Sequence, residues 1–151
     1  MRVQDVMSRG VSTVSAAATA AEAWELMRLK RIHHLVVTEG GEIVGVISDR
    51  DMGGRHGASV RHTRLVSELM TGRVVTAEPT TPVRKAANLL RGKSIGCLVI
   101  TDRGRIVGII TTADLLELLG RGIERPIAAA ERRTLNHRAP HRKRHQAAGA
   151  W

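Results

Sequence analysis

Short runs rich in Val, Ile and Leu, each interrupted by a glycine-containing turn, set the hydropathy pattern of the chain. His34–Thr38 and Glu42–Ser48 flank Glu39-Gly40-Gly41, while Leu98–Thr101 and Arg105–Thr111 flank Asp102-Arg103-Gly104. β-Branched runs bounded by such turns predict two hairpins. Ahead of each hairpin the spacing turns helical. Ala20, Ala23, Trp24 and Met27 share a helix face behind Thr19, an N-cap whose capping-box partner is Glu22. In the second half, Pro82 suits the first turn of a helix reaching about Arg91, with Gly92 as its stop. Val11–Val14 and Val74–Ala77 read as short strands before these helices. After each hairpin a helix begins. Ser48-Asp49-Arg50-Asp51 is cut short by Gly53-Gly54 and Gly57, whereas Thr111-Thr112-Ala113-Asp114 runs on to Leu119.

The two halves are one pattern written twice. Residues 3–52 lie over residues 66–115 at a constant offset of 63, without a gap, and 18 of the 50 pairs are identical. Among the identities are Val3, Met7, Leu35, Val36, Ile47, Gly41, Gly45 and Asp51 of the first copy. The fold class is therefore mixed α/β: two tandem β-α-β-β-α units packed about a pseudo-twofold axis. A unit of about 50 residues is marginal alone, so the copies bury their apolar faces against each other. The expected divisions are a first repeat over 1–57, a linker over 58–65, a second repeat over 66–122 and a basic, disordered tail over 123–151.

Composition narrows the reading. The chain has 151 residues and no Phe or Tyr, so its core is aliphatic and it lacks the stacking platforms of single-strand nucleic-acid binders. A single cysteine, Cys97, precludes an internal disulfide and points to a reducing compartment. Without an apolar run long enough to span a bilayer and without a signal-peptide pattern, a cytoplasmic location and no membrane span are expected. The net charge of +10 is concentrated at the C-terminal end, where residues 121–151 carry eight Lys and Arg against two Glu. That tail, residues 127–151 in particular, could attract nucleic-acid phosphates in a salt-dependent way.

Ser48/Asp51 and Thr111/Asp114 are the pairs with chemistry to offer. A hydroxyl at a strand-to-helix junction lies beside unpaired N–H groups and suits a phosphate, and an acid one turn later suits a ribose diol. The same residues also suit plain helix capping. His33-His34 do not share a metal, since neighbours on a strand face opposite ways. His137, His141 and His145 surround Pro140 in polar sequence and offer weak metal binding at most. No metal, no required cofactor and no catalytic residue is expected, because there is no P-loop, no paired catalytic carboxylates and no Ser-His-Asp arrangement.

The order of elements, closed in each copy by Gly45-Val46-Ile47-Ser48-Asp49-Arg50-Asp51 and Gly108-Ile109-Ile110-Thr111-Thr112-Ala113-Asp114, with Met7 and Met70 opening the copies, resembles the cystathionine-β-synthase (CBS) domain family. Two in tandem resemble a CBS pair, or Bateman module. The resemblance implies adenosine nucleotides (AMP, ADP or ATP) as regulatory ligands, with Ser48, Asp51, Thr111 and Asp114 on phosphate and ribose. It also implies a base slot at Thr13, Val14, Ile32, His33 and His34 in the first copy, and at Thr76, Ala77, Ile95, Gly96 and Cys97 in the second. Arg50, matched by Ala113, would support a polyphosphate in the first site only. Val36 and Val99 stand where many members have Pro, which leaves the fold intact and alters the pocket shape. The expectation is a regulatory, non-enzymatic homodimer that senses a nucleotide and acts in trans on an unknown protein target, its helices meeting through Ala20, Ala23, Trp24 and Met27 and through Val83, Ala86, Ala87 and Leu90. The alternative is a nucleic-acid-associated protein that uses its tail.

Overall fold

The chain order in the computed structural model, which describes residues 1–122, is β1 (Thr13–Ser15), α1 (Ala20–Lys30), β2 (His34–Glu39), β3 (Glu42–Ser48), α2 (Ala58–Thr63), α3 (Val66–Leu69), β4 (Thr76–Ala77), α4 (Val83–Lys93), β5 (Cys97–Asp102), β6 (Arg105–Thr111) and α5 (Thr112–Gly120). These form two three-stranded sheets, β1-β2-β3 and β4-β5-β6. In each, the first strand runs parallel to the second and the hairpin pairs antiparallel, with a bulge after Val37 and, equivalently, after Ile100. Both hairpin turns use left-handed backbone: Gly40 and Gly41 at φ 58 and 83, Arg103 and Gly104 at φ 50 and 79. That handedness matches the twist of the flanking strands.

Helix boundaries follow local chemistry. Thr19 caps α1 by accepting from the Glu22 N–H at 3.2 Å, while Glu22 accepts from the Thr19 N–H at 3.0 Å. Helix α1 ends at Arg31 and α4 at Ser94, both left-handed, with φ of 54 and 51. Gly92, expected to stop α4, lies inside it; the left-handed turn at Ser94 supplies the stop instead. Residues 58–65, read as a plain linker, hold the helix α2, whose Arg61 is buried. The basic tail expected over 123–151 lies outside the described residues.

Two aliphatic cores fill the molecule. One gathers Ala16, Ala20, Ala23, Met27, Leu35, Val37, Ile47, Met52 and Val66, and the other Val3, Met7, Ala86, Leu90, Leu98, Ile100 and Ile110. The copies exchange their opening segments. Val3 and Met7 belong to the core of the second copy, and Val66 to that of the first. Backbone bonds fix the exchange: Ser8 and Ile109 bond reciprocally at 2.9 and 3.0 Å, as do Val46 and Thr71 at 3.1 and 2.9 Å. Two glycines make room for it. A Cβ on Gly45 would lie 2.6 Å from Met70 Sδ, and one on Gly108 would collide with Met7 Sδ. The repeated Met and the repeated Gly are therefore two halves of one contact. Val36 and Val99 are also fully buried, although they belong to neither core, so the central strands are covered on both faces.

Candidate functional site

The two sheets are separate, but the start of β2 approaches the residue just before β5. His34 Nε2 lies 3.5 Å from where a Cβ on Gly96 would be. The two base slots expected at His34 and at Gly96-Cys97 therefore adjoin. Asp51 and Asp114 act electrostatically on the same place: both carboxylates reach His34, and Asp51 also reaches Cys97. The imidazole of one copy thus meets the Gly96-Cys97 segment of the other, with two carboxylates within electrostatic range.

Burial decides the protonation of His34 and Cys97. His34 is held below its ordinary value mainly by burial, against the opposing pull of the Asp49 carboxylate and, more weakly, of Asp51 and Asp114. Burial, reinforced by the Asp51 carboxylate, pushes the Cys97 thiol up to about 11. Burial thus favours the uncharged form of both side chains.

The motif pairs form reciprocal caps. Ser48 N–H donates to Asp51 Oδ2 at 2.8 Å and Asp51 N–H to Ser48 Oγ at 3.3 Å; Thr111 and Asp114 repeat this at 2.7 and 3.2 Å. The capping role is thus present in both copies. It engages Oδ2 of each acid; a carboxylate has about four lone-pair sites, so the second oxygen can take a ribose hydroxyl. Only Thr111 stands at the start of a true helix, α5. After Ser48 the chain makes a turn closed by Met52 N–H to Asp49 O at 3.2 Å and Gly53 N–H to Arg50 O at 3.0 Å. The strand-to-helix junction expected to suit a phosphate is accordingly present in the second copy, not the first.

The remaining expected residues fall around this frame. Thr13 and Thr76 are exposed at the strand starts, opposite Val36 and Val99. Val14 and Ile32 pack on the first core, and Ala77 and Ile95 on the second. Arg50 is exposed on the motif turn. His33 points away from His34 and bonds Asp49 Oδ2 through Nδ1 at 3.0 Å. Among the described residues no group of three His, Cys, Asp or Glu could hold a metal, and no helix is long and apolar enough to cross a membrane. The helix faces expected at a dimer contact are largely internal: Ala20, Ala23 and Ala86 are fully buried, and Met27 and Leu90 nearly so, each within its own core. Trp24 is covered by Arg61, whose guanidinium carbon lies 3.9 Å above the ring. Sequence reasoning missed Arg61; a lone arginine in a short polar stretch gives no sign that it will be buried.

Comparison with known proteins agrees with this architecture. The chain is 33% identical over 135 residues to a CBS domain-containing protein of Dictyostelium discoideum, covering 81% of this chain and 93% of that one. It is 34% identical to the CBS domain-containing protein YhcV of Bacillus subtilis, over 75% of this chain and 81% of that one. A homoserine O-acetyltransferase of Methanohalobium evestigatum is 31% identical, but this chain spans only 24% of its length. Among solved structures, the CBS domain pair of protein MJ0100, in complex with 5′-methylthioadenosine and S-adenosyl-L-methionine, superposes with a TM-score of 0.71 at 28% identity, over 80% of this chain and 97% of that one. The CBS domain model matches residues 3–52 and again 66–121. With that match covering both copies, and with the paired sheets and exchanged segments described above, the chain belongs to the CBS domain family as a tandem pair.

Proposed function

We propose that this CBS pair is a regulatory module that binds an adenosine-type ligand in the cleft between its copies and passes occupancy to a protein partner. The observation carrying this reading is the approach of His34 in one copy to Gly96 in the other, with a capped acid, Asp51 or Asp114, in each copy's motif. Each acid is already oriented by its cap, with its second oxygen available for a ribose diol. The complex of the MJ0100 pair with 5′-methylthioadenosine and S-adenosyl-L-methionine supports the choice of ligand class. Regulation requires that ligand bind two conformations unequally, and a cleft built from both copies meets that need, because ligand contacts depend on how the copies sit. Homodimerisation belongs to the same reading. Its contact would use faces other than the internal ones of α1 and α4, and Leu116 and Leu119 of α5 are 63% and 58% exposed.

Calorimetric titration with 5′-methylthioadenosine, S-adenosylmethionine, AMP and ATP tests it. Wild type is expected to bind at least one of them. Asp51→Ala and Asp114→Ala each remove hydrogen bonds to a charged acceptor, so the double variant should lose about 2–4 kcal/mol of affinity. The Asn variants, which keep a side-chain oxygen for the cap, should stay folded and lose part of that. Unchanged affinity in the double Ala variant would refute the assignment.

A further inference from the structure

The pseudo-symmetry supplies an internal control, and one feature fails it. Between α1 and the 49–55 turn of the first copy lies a groove of about 470 Å³, lined by Trp24, Met27, Ile32 and His33 and by the guanidinium-bearing Arg28, Arg31 and Arg55. At the matching positions of the second copy stand Ala87 for Trp24, Ser94 for Arg31, Gly96 for His33 and Leu118 for Arg55. The fold is made there without them, so it does not demand an aromatic or these cations at those positions. The size suits a small organic molecule.

The groove is a built feature. In the second copy α5 continues through the equivalent stretch; in the first the chain breaks at Gly53 and Gly54, both left-handed at φ 82 and 56. Gly57 closes the loop so tightly that a Cβ on it would collide with the Met52 carbonyl oxygen. Buried Arg61 pins the loop, donating from one nitrogen to Met52 O at 3.2 Å and to Gly54 O at 2.5 Å while its guanidinium stacks on Trp24. One residue thus holds both the rim and the aromatic wall.

Its charge is unbalanced. Asp49, the acid that lines the groove, is engaged by His33. Arg28 makes one exposed contact of 3.6 Å with Glu25. Among the described residues Arg31 and Arg55 form no ion pair. Guanidinium groups gathered beside an apolar wall are the arrangement that recognises phosphate on an organic carrier. The groove is also distinct from the proposed adenosine site, since its lining includes His33 but not His34, Cys97, Asp51 or Asp114.

We propose that this groove is a second ligand site, specific to the first copy, for a small phosphorylated organic molecule whose phosphates meet Arg31 and Arg55 and whose apolar part packs on Trp24, Met27 and Ile32.

The chain has two tryptophans, Trp24 and Trp151, so a full-length Trp151→Phe protein reports on Trp24 alone. Titration with inorganic pyrophosphate, read by fluorescence and by calorimetry, should give a saturable one-to-one response. Adding Arg31→Ser and Arg55→Ser should weaken it at least tenfold while leaving the thermal melt in place, since Ser94 already occupies the same left-handed cap. The Asp51→Ala/Asp114→Ala protein should keep the pyrophosphate response, and the double Arg variant should keep any 5′-methylthioadenosine binding, so the two sites stand or fall separately. Pyrophosphate binding of full strength in the double Arg variant, or no saturable binding by either method, would overturn the proposal. A shift of sedimentation coefficient in that variant, without a change in pyrophosphate response, would make the groove a protein contact and overturn it too.

Discussion

His34 carries the clearest consequence at the scale of one residue. Its imidazole is depressed by burial, although Asp49, Asp51 and Asp114 all pull the other way and His33 adds to the depression. Between its folded value and the unfolded value near 6.5, the unfolded chain therefore binds more protons than the native one. The contribution is fully present above that unfolded value and is lost as pH falls through the folded one. Urea unfolding at a series of pH values from 7.5 to 5 should show wild type losing more stability on acidification than His34→Gln. Equal losses would mean that the imidazole is not desolvated in the native cleft. The place of His34 at the start of a strand was legible, and its expected pocket role came from the family resemblance. Its contact with Gly96 was not legible, because 62 positions separate the two in sequence.

At the scale of elements, capping boxes and hairpins were readable because their partners sit three or four residues apart. Thr19 with Glu22 and the paired turns appear where the sequence places them. The exchange of opening segments was hidden for the opposite reason. Val3 and Met7 are apolar in the right pattern, but nothing local says which core they enter; only the room above Gly108 does. That exchange has an energetic signature. Val3→Ala should destabilise the second core and Val66→Ala the first, each by about 1–3 kcal/mol, because both side chains are fully buried. With the segments crossed, each loss should appear as a shift of one shared unfolding transition. Two separate transitions in the calorimeter, each sensitive to one substitution, would show that the copies fold independently. Helix α2 escaped notice because six residues carry too little periodicity. Its Arg61 reaches outside the helix to Met52, Gly54 and Trp24, contacts that no local pattern announces.

The whole molecule joins two units of one fold that agree at many apolar positions and differ at several positions expected to meet a ligand. Buried positions such as Leu35/Leu98, Val36/Val99 and Ile47/Ile110 repeat, while the positions His33/Gly96, His34/Cys97 and Arg50/Ala113 differ. Symmetric packing with asymmetric lining allows one fold to present unequal contacts to a ligand. In the proposed function both copies contribute to one adenosine site. Backbone amide shifts of isotope-labelled protein during titration with 5′-methylthioadenosine test it most directly. We expect coordinated perturbation of amides from both copies, at His34 and Ser48–Asp51 together with Gly96, Cys97 and Thr111–Asp114. Saturable shifts confined to one copy, or centred away from these segments, would contradict a shared cleft.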